Sequence, residues 1–260
     1  MIVDLNSKII GKGGAPLVIL HGLFGMGDNW GSHARVWAKL GFEVHLLDMR
    51  NHGSSPHTSS HTYEDMAEDI KLYVESNLRK HRSIMWIGHS MGGKALMEFS
   101  VKYPDYIEKM VIVDIGPKSY PVQHGHIIEA MHTLNFERIT SRAEADRALE
   151  MLIPEWGLRQ FILKNIKWKN DKKLGWRFNL PIIEAQIGRI GKGLAVDKCF
   201  VGSVLFIRGM QSEYILDQDW AGIMHHFPLA QLESIPDAGH WVHAEKPIAF
   251  LDSLKGFLII

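Results

Sequence analysis

The sequence feature that most constrains the fold is an alternation of short apolar segments with amphipathic helical patterns. Near-continuous apolar segments, typical of strands buried on both faces of a parallel sheet, occupy residues 16–20, 42–47, 84–87, 110–113 and 204–207. Apolar residues at helical spacing follow in several places, for example over 94–103 and 247–258. Because parallel strands need crossover connections, the pattern predicts an α/β fold with a mostly parallel central sheet flanked by helices.

The alternation stops between residues 118 and 198, a segment that we call the insertion. It shows helical patterns and no strand signal: Ser141 and Glu144 form a capping box, and the apolar spacing of Leu158, Ile162 and Ile166 predicts a further helix. The insertion holds 14 basic and 9 acidic residues, whereas the whole chain balances 29 against 29. The sequence therefore predicts a core of residues 1–117 and 199–260 with a helical lid, 118–198, after the strand that ends at Asp114.

Composition narrows the class of protein. The zero net charge argues against a generally basic nucleic-acid binder, and no apolar run reaches the roughly 18–20 residues of a membrane span. The single cysteine, Cys199, cannot form an internal disulfide, and the first residues lack the segments of a signal peptide. We therefore expect a cytoplasmic enzyme that inserts into no membrane and binds no nucleic acid.

Residues 88–92 match Gly-x-Ser-x-Gly between a predicted strand and a predicted helix, the context of a nucleophile elbow. The glycines allow a turn too tight for a Cβ, and the turn exposes the hydroxyl of Ser90 at the start of the helix. Residues 88–94 also match the phosphate-binding pattern Gly-x₄-Gly-Lys, but Ala95 stands where that loop needs a Ser or Thr hydroxyl. We therefore favour Ser90 as a nucleophile over nucleotide hydrolysis.

Backbone N–H groups are the expected source of oxyanion stabilisation. One comes from Met91, directly after the nucleophile, and the second from Leu23 in the loop of residues 21–25 after the first buried strand. Side chains beside these motifs, Phe24, His89 and Trp241, are candidates for substrate binding.

A nucleophile elbow of this kind is followed along the chain first by the acid and then by the histidine, so the general base should come after Ser90. Among the 15 histidines we favour His240, because it lies in the loop 237–241 that follows an alternating strand. His243 is the alternative. Other histidine pairs, at 124/126 and 225/226, lack the spacing and carboxylates of a metal site, so no metal and no cofactor are expected.

The acidic partner of the histidine has two possible positions. The stretch after the strand 204–207 offers Ser212 where an aspartate is expected, with Glu213 and Asp217 nearby. Asp114 ends the strand that follows the nucleophile helix, at the same edge of the sheet as Ser90. We favour Asp114 over Glu213 and Asp217.

The segments GHSMGGKA, HGLFG, DMRNHG, VIVDIGP, AGHWVHAEKP and, in the insertion, WRFNLP resemble the α/β-hydrolase superfamily. Within it they are similar to the bacterial YbfF-type esterases and their mitochondrial relatives of the abhydrolase-11 kind. This resemblance implies carboxylesterase activity on short-chain acyl esters, extending in some members to acyl-CoA thioesters. It also implies that the acid has moved to the strand after the nucleophile helix, as Asp114 and Ser212 suggest, and that the insertion forms a lid over the serine.

The sequence thus predicts a serine hydrolase in which Ser90 attacks an acyl ester of short to medium chain length, His240 is the base and Asp114 orients it. Two alternatives stay open: carbon–carbon bond hydrolysis at the same site, and a ligand-binding protein that retains the pocket. The expected partner is a small acyl ester, and the protein is expected to be a monomer or a small homo-oligomer.

Within the insertion, lysines crowd into ten residues: Lys164, Lys167, Lys169, Lys172 and Lys173. We call these residues the lysine cluster. They indicate either a solvated helix end and loop or a surface that attracts the phosphates of a CoA ester.

Overall fold

The computed structural model describes residues 1–81, 83–121, 124–170 and 173–258. Its strands are β1 (Ser7–Ile10), β2 (Ala15–Leu20), β3 (Phe42–Leu47), β4 (Met85–His89), β5 (Lys109–Val113), β6 (Ile166–Asn170), β7 (Lys173–Trp176), β8 (Ser203–Gly209) and β9 (Ala230–Ile235). Its α-helices are α1 (Gly31–Lys39), α2 (Tyr63–Tyr73), α3 (Met91–Lys102), α4 (Gly125–His132), α5 (Arg142–Leu149), α6 (Trp156–Leu163), α7 (Leu180–Ala185), α8 (Ile187–Ile190), α9 (Trp220–His226), α10 (Val242–Glu245) and α11 (Pro247–Leu258).

The central sheet has seven strands in the order β1-β3-β2-β4-β5-β8-β9. Every neighbouring pair is parallel except β1 and β3, so the prediction of a mostly parallel sheet is confirmed. The sequence did not reveal β1, because this edge strand is largely exposed and lacks an apolar run. The carboxyl ends of β2, β4 and β5 share one edge of the sheet, and the residues that follow them form the site described below.

Helices cover both faces of the sheet. In β2, Val18 and Leu20 join the core on the side of α2 and α3, whereas Leu17 and Ile19 join the core on the side of α1 and α11. All four side chains are fully buried. Burial of each such side chain stabilises the fold by about 1.5–3 kcal/mol relative to leaving it exposed. Because both faces of the strand are buried, its sequence is a continuous apolar segment.

The insertion lies between β5 and β8 and contains helices α4 to α8. The expectation that it contains only helices is wrong, because β6 and β7 form an antiparallel hairpin. The predicted helix ends at Leu163, and Ile166 belongs to β6. Ile166 is compatible with a helix and with a strand. It stands four residues after Ile162, which is a helical spacing, and it also begins an apolar–polar alternation through Trp168, which is typical of a strand.

The helix start predicted from the capping box at Ser141 is confirmed, and Thr62 caps a second helix in the same way. The hydroxyl of Thr62 accepts a hydrogen bond from the backbone N–H of Asp65, at 3.2 Å, before α2. Ser141 accepts one from the N–H of Glu144, also at 3.2 Å, before α5. No described helix combines the length and apolar character that crossing a membrane requires.

Candidate active site

Ser90 occupies the sharp turn between β4 and α3. Its backbone is strained, with φ 52° and ψ −117°. The neighbouring glycines make this turn possible: a Cβ on Gly88 would lie 2.7 Å from the carbonyl oxygen of Gly92, and a Cβ on Gly92 would lie 2.4 Å from that of Leu20. The nucleophile-elbow geometry expected from the sequence is therefore present at Ser90.

A chain of hydrogen bonds joins Ser90 to His240 and His240 to Asp114. The His240 Nε2 lies 3.0 Å from the Ser90 Oγ, and the His240 Nδ1 lies 2.8 Å from the Asp114 Oδ2. The Asp114 carboxylate is fully buried, which favours the tautomer whose Nδ1–H donates to it. The Nε2 lone pair then faces the serine hydroxyl, so this arrangement can take a proton from Ser90.

Asp114 is held by further donors besides His240. Its Oδ1 accepts the backbone N–H of Gly209 at 3.1 Å, and its Oδ2 accepts the hydroxyl of Ser212. Asp114 itself has φ 50°, a conformation that L residues rarely adopt. Ser212, which stands where an acid was expected, thus supports the carboxylate supplied by the neighbouring strand.

The alternative residues lie elsewhere. Asp217 pairs with Arg208 at 2.6 Å and is 91% exposed, and the side chain of Glu213 is also exposed. His243, the alternative base, is buried and stacks on Trp30 with ring centroids 4.0 Å apart. Burial also holds the pKa of His243 well below its usual value, so this imidazole is neutral.

Leu23 and Met91 line the same small cavity as Ser90. Neither backbone N–H donates to another residue in the described part of the chain. This is expected for Met91, because the first N–H groups of a helix have no partner within the helix. Both groups are therefore available to an oxygen atom held beside the serine.

Two buried histidines shape the loop that carries Leu23. The N–H of Phe24 donates to the His52 Nε2 at 3.2 Å, and the N–H of Met49 donates to the His21 Nε2 at 3.0 Å. Each Nε2 must therefore be an unprotonated acceptor, and burial lowers the pKa of both histidines, which keeps the rings neutral. Their Nδ1 atoms donate to backbone carbonyl oxygens at 2.8 and 3.0 Å. No sequence motif predicts a role for His52, although it belongs to the segment DMRNHG.

The insertion also contacts this loop. The buried Asn165 donates from its Nδ2 to the carbonyl oxygen of Phe24 at 2.7 Å. Phe24 has φ 59°, so this hydrogen bond supports a backbone conformation that costs about 1–3 kcal/mol. No sequence pattern pointed to Asn165, because its partner is distant in the chain.

A cavity of about 300 Å³ opens above Ser90 and His240, and the predicted substrate-binding residues Phe24, His89 and Trp241 all line it. His89 also donates from its Nε2 to the carbonyl oxygen of His240 at 3.0 Å, so it helps to position His240 as well. A largely apolar cavity of about 550 Å³ adjoins the first, and His89 and Trp241 line both. The site therefore offers a polar centre beside an extended apolar surface.

Two aromatic contacts at the site were not anticipated from the sequence. The ring of Tyr214 stacks on His240 with centroids 4.1 Å apart, and Phe161 of α6 lies 6.0 Å from Trp241. Phe161 therefore extends the wall of the cavity from the insertion.

Lys94 is a buried cation on the helix that follows Ser90. Its Nζ donates to the carbonyl oxygens of Lys118 and Lys192, the latter at 3.0 Å, and lies 4.9 Å from the centre of the Tyr120 ring. Burial, with a smaller contribution from Lys118, lowers the pKa of Lys94 to about 7. Lys94 thus joins α3 to both ends of the insertion.

This pKa predicts how stability depends on pH. Between pH 7 and the unfolded pKa of about 10.4, the folded protein has lost a proton that the unfolded chain retains, so stability rises with pH. Between pH 6 and pH 9, the free energy of unfolding of the wild type should increase by on the order of 2 kcal/mol more than that of Lys94→Met. Urea titrations at each pH measure both values. Lys71→Met, at a partly exposed lysine of α2 that pairs with Glu75, is the control. Parallel pH curves for Lys94→Met and the wild type would contradict the prediction.

Comparisons with known proteins agree with this geometry. A family model described as "alpha/beta hydrolase fold" matches residues 15–143. The chain is 38% identical to the sn-1-specific diacylglycerol lipase ABHD11 of Danio rerio, over 95% of this chain and 80% of the relative. It is 36% identical to the esterase YbfF of Escherichia coli K12, over 94% and 93% of the two chains. A solved structure named "Marine microorganism esterase" matches with a TM-score of 0.93 at 39% identity, covering 98% of this chain and 99% of the other. The chain belongs to the α/β-hydrolase fold family.

Proposed function

We propose that this protein is a serine hydrolase that cleaves carboxylic esters through an acyl-enzyme. The observation that carries the proposal is the hydrogen-bonded chain from Ser90 through His240 to the buried carboxylate of Asp114. Its position beside an apolar cavity supports an acyl substrate, and so do the relatives named as an esterase and a lipase.

In the proposed mechanism, the Ser90 Oγ attacks the acyl carbonyl carbon while His240 accepts the hydroxyl proton. The carbonyl oxygen becomes an oxyanion that the N–H groups of Leu23 and Met91 stabilise. When the tetrahedral intermediate collapses, the ester C–O bond breaks and His240 protonates the departing alcohol. A water molecule then attacks the acyl carbon of the acyl-enzyme while His240 accepts its proton. The bond between the acyl carbon and the Ser90 Oγ breaks, the carboxylic acid leaves, and His240 returns the proton to Ser90.

We also propose that residues 118–198 act as a lid on the core of residues 1–117 and 199–260. The support is that Leu158 and Phe161 of α6 line the cavity above Ser90, and that Asn165 holds the loop carrying Leu23. A lid formed in this way would exclude water from the acyl group, which strengthens electrostatic stabilisation of the oxyanion.

The acyl group is proposed to be short to medium in length. The cavity that Ser90 shares with Leu23 and Met91 has a volume of only about 30 Å³, and Tyr120 and Ile187 form part of its wall. The cavity of about 300 Å³ that Ser90 shares with Trp241 leaves room for a chain of medium length. Three further properties stay predictions from the sequence: activity on thioesters of coenzyme A, a cytoplasmic location, and a monomeric or small homo-oligomeric state.

The proposed function is tested with p-nitrophenyl esters of graded chain length and with a fluorophosphonate label. We expect covalent labelling of Ser90, identified by mass spectrometry, and a kcat/KM that falls for long acyl chains. Diketone substrates serve as the comparison. Cleavage of diketones but not esters would indicate carbon–carbon bond hydrolysis, and the absence of both labelling and turnover would indicate a binding protein.

A further inference from the structure

A polar cavity of about 360 Å³ lies between the core and the insertion, apart from the proposed active site. It is lined by charged side chains from both parts: Lys8, Asp28 and Asp48 from the core, and Arg142, Lys164 and Arg177 from the insertion. Among the described residues, none that lines this cavity also lines the cavities containing Ser90. An inference about it is therefore independent of ester hydrolysis.

The carboxylates in this cavity are already occupied. The Asp48 Oδ1 accepts the N–H of Gly27, and its Oδ2 accepts the N–H of Ser54, each at 2.8 Å. Asp28 pairs with the Lys8 Nζ at 2.7 Å. Two carboxylates thus face four cations, and both are held by groups of the core.

The three cations of the insertion have no carboxylate partner within the described residues. Arg142 donates to the carbonyl oxygen of Ile166 at 2.8 Å, and the Lys164 Nζ donates to that of Asp28 at 3.2 Å. Carbonyl oxygens satisfy single donors and leave the positive charges uncompensated, so this side of the cavity carries an excess of positive charge.

Arg177 is the third of these cations, and its side chain carries an unpaired donor. Its Nε is buried and has no hydrogen-bond acceptor among the described residues, although a buried unpaired donor of a charged group is costly. The backbone around it is fixed, because its N–H donates to the carbonyl oxygen of Asn165 at 2.7 Å and its own carbonyl accepts from His57 at 2.9 Å. The backbone that carries the Arg177 side chain is therefore held in place from both sides.

The titration of nearby groups is consistent with a positive field. The pKa of Asp28 is lowered first by its hydrogen bond with Lys8 and further by the charges of Lys164 and Arg177. The pKa of Lys169 is lowered by partial burial and by the charges of Lys167 and Arg177. Positive groups thus repel one another on this side of the insertion.

The lysine cluster does not form one solvated helix end. Lys164 follows α6 and lines the cavity, whereas Lys167 and Lys169 belong to β6. Lys173 pairs with Glu137, and Lys172 lies outside the described residues.

We propose that this cavity binds a phosphate group, free or carried by a small molecule, between Arg142, Lys164 and Arg177. Arginine guanidinium groups match tetrahedral oxyanions with paired N–H donors, and an ammonium adds a compact charge. A bound phosphate would compensate the charges of the three cations. It would also tie the insertion to the core close to Asn165, which holds the loop of Leu23.

The test is isothermal titration calorimetry of the intact protein with inorganic phosphate at low ionic strength, where charge interactions are least screened. We expect saturable binding at one site per chain. Arg177→Gln and Arg142→Gln should each weaken it by about tenfold, as expected for loss of a hydrogen bond to a charged group. Arg189→Gln, at an exposed arginine of α8, is the matched control and should leave the affinity unchanged. Near-ultraviolet circular dichroism verifies that each variant is folded.

A second titration with glycerol 3-phosphate distinguishes the two sources of the phosphate. Tighter binding than inorganic phosphate supports a phosphorylated small molecule, and equal or weaker binding supports free phosphate. The absence of saturable binding to either ligand, or equal affinity in the wild type and folded Arg177→Gln, would overturn the proposal. Because these measurements do not involve ester turnover, their failure is distinguishable from failure of the proposed function.

Discussion

Replacement of Ser90 by alanine is expected to lower kcat for p-nitrophenyl acetate by about 10⁴–10⁶-fold, because it removes the only atom proposed to bond to the acyl carbon. The fold should remain, since alanine removes one hydroxyl and adds no bulk at the strained turn, where φ is 52°. Steady-state kinetics and fluorophosphonate labelling measure the effect, and both signals should be lost together.

Ser100→Ala is the matched control for this experiment. Ser100 lies on α3, the helix that follows Ser90, and its buried hydroxyl donates to the carbonyl oxygen of Met97 at 2.8 Å. Its removal deletes the same kind of atom, a serine hydroxyl oxygen, from the helix that follows Ser90 and away from the proposed chemistry. If Ser90→Ala retained a tenth of the wild-type kcat, Ser90 would have to be withdrawn as the nucleophile.

Asp114→Asn is expected to reduce kcat by about 10³–10⁴-fold with little change in the fold. The N–H of Gly209 already donates to the Oδ1 position, so the asparagine oxygen should occupy that position and its NH₂ group should face His240. The NH₂ group would require the His240 Nδ1 to be an acceptor, which moves the ring proton to Nε2. His240 could then no longer accept the proton of Ser90.

The residues rejected as acids supply the controls for Asp114. Glu213→Gln and Asp217→Asn should change kcat little, because both side chains are exposed and Asp217 pairs with Arg208. The assignment would be wrong if Glu213→Gln proved the crippling substitution while Asp114→Asn remained mild. Comparison at several pH values checks that the loss does not reflect a shifted optimum.

The sheet could be predicted from the sequence because its strands are buried on both faces. Double burial demands continuous apolar segments, and such segments are visible without any knowledge of neighbours. The edge strand β1 and the hairpin β6–β7 could not be predicted in this way. Both carry mixed polar and apolar residues, and their strand conformation depends on pairing with partners: β1 pairs with β3, and β6 pairs with β7.

Local sequence was also sufficient for Ser90, whose turn requires glycines two positions before it and two positions after it. The residues that support the site have no such local sequence signal. Tyr214 stacks on His240, His52 accepts from the N–H of Phe24, and Asn165 donates to the carbonyl oxygen of Phe24. Tyrosine, histidine and asparagine are common residue types, and nothing in their immediate neighbours distinguishes these from others of the same kind.

By itself, then, the sequence determined the alternating fold, the strained turn at Ser90 and the candidates for its partners. These properties depend on burial and backbone geometry over a few consecutive residues. Only the tertiary structure decided that Asp114, rather than Glu213 or Asp217, meets His240, across 126 positions of the chain. It alone also placed Arg177 in a cavity with Arg142 and Lys164. Hydrogen bonds and charges act over a few ångströms in space, so they are decided only once the chain has brought distant residues together.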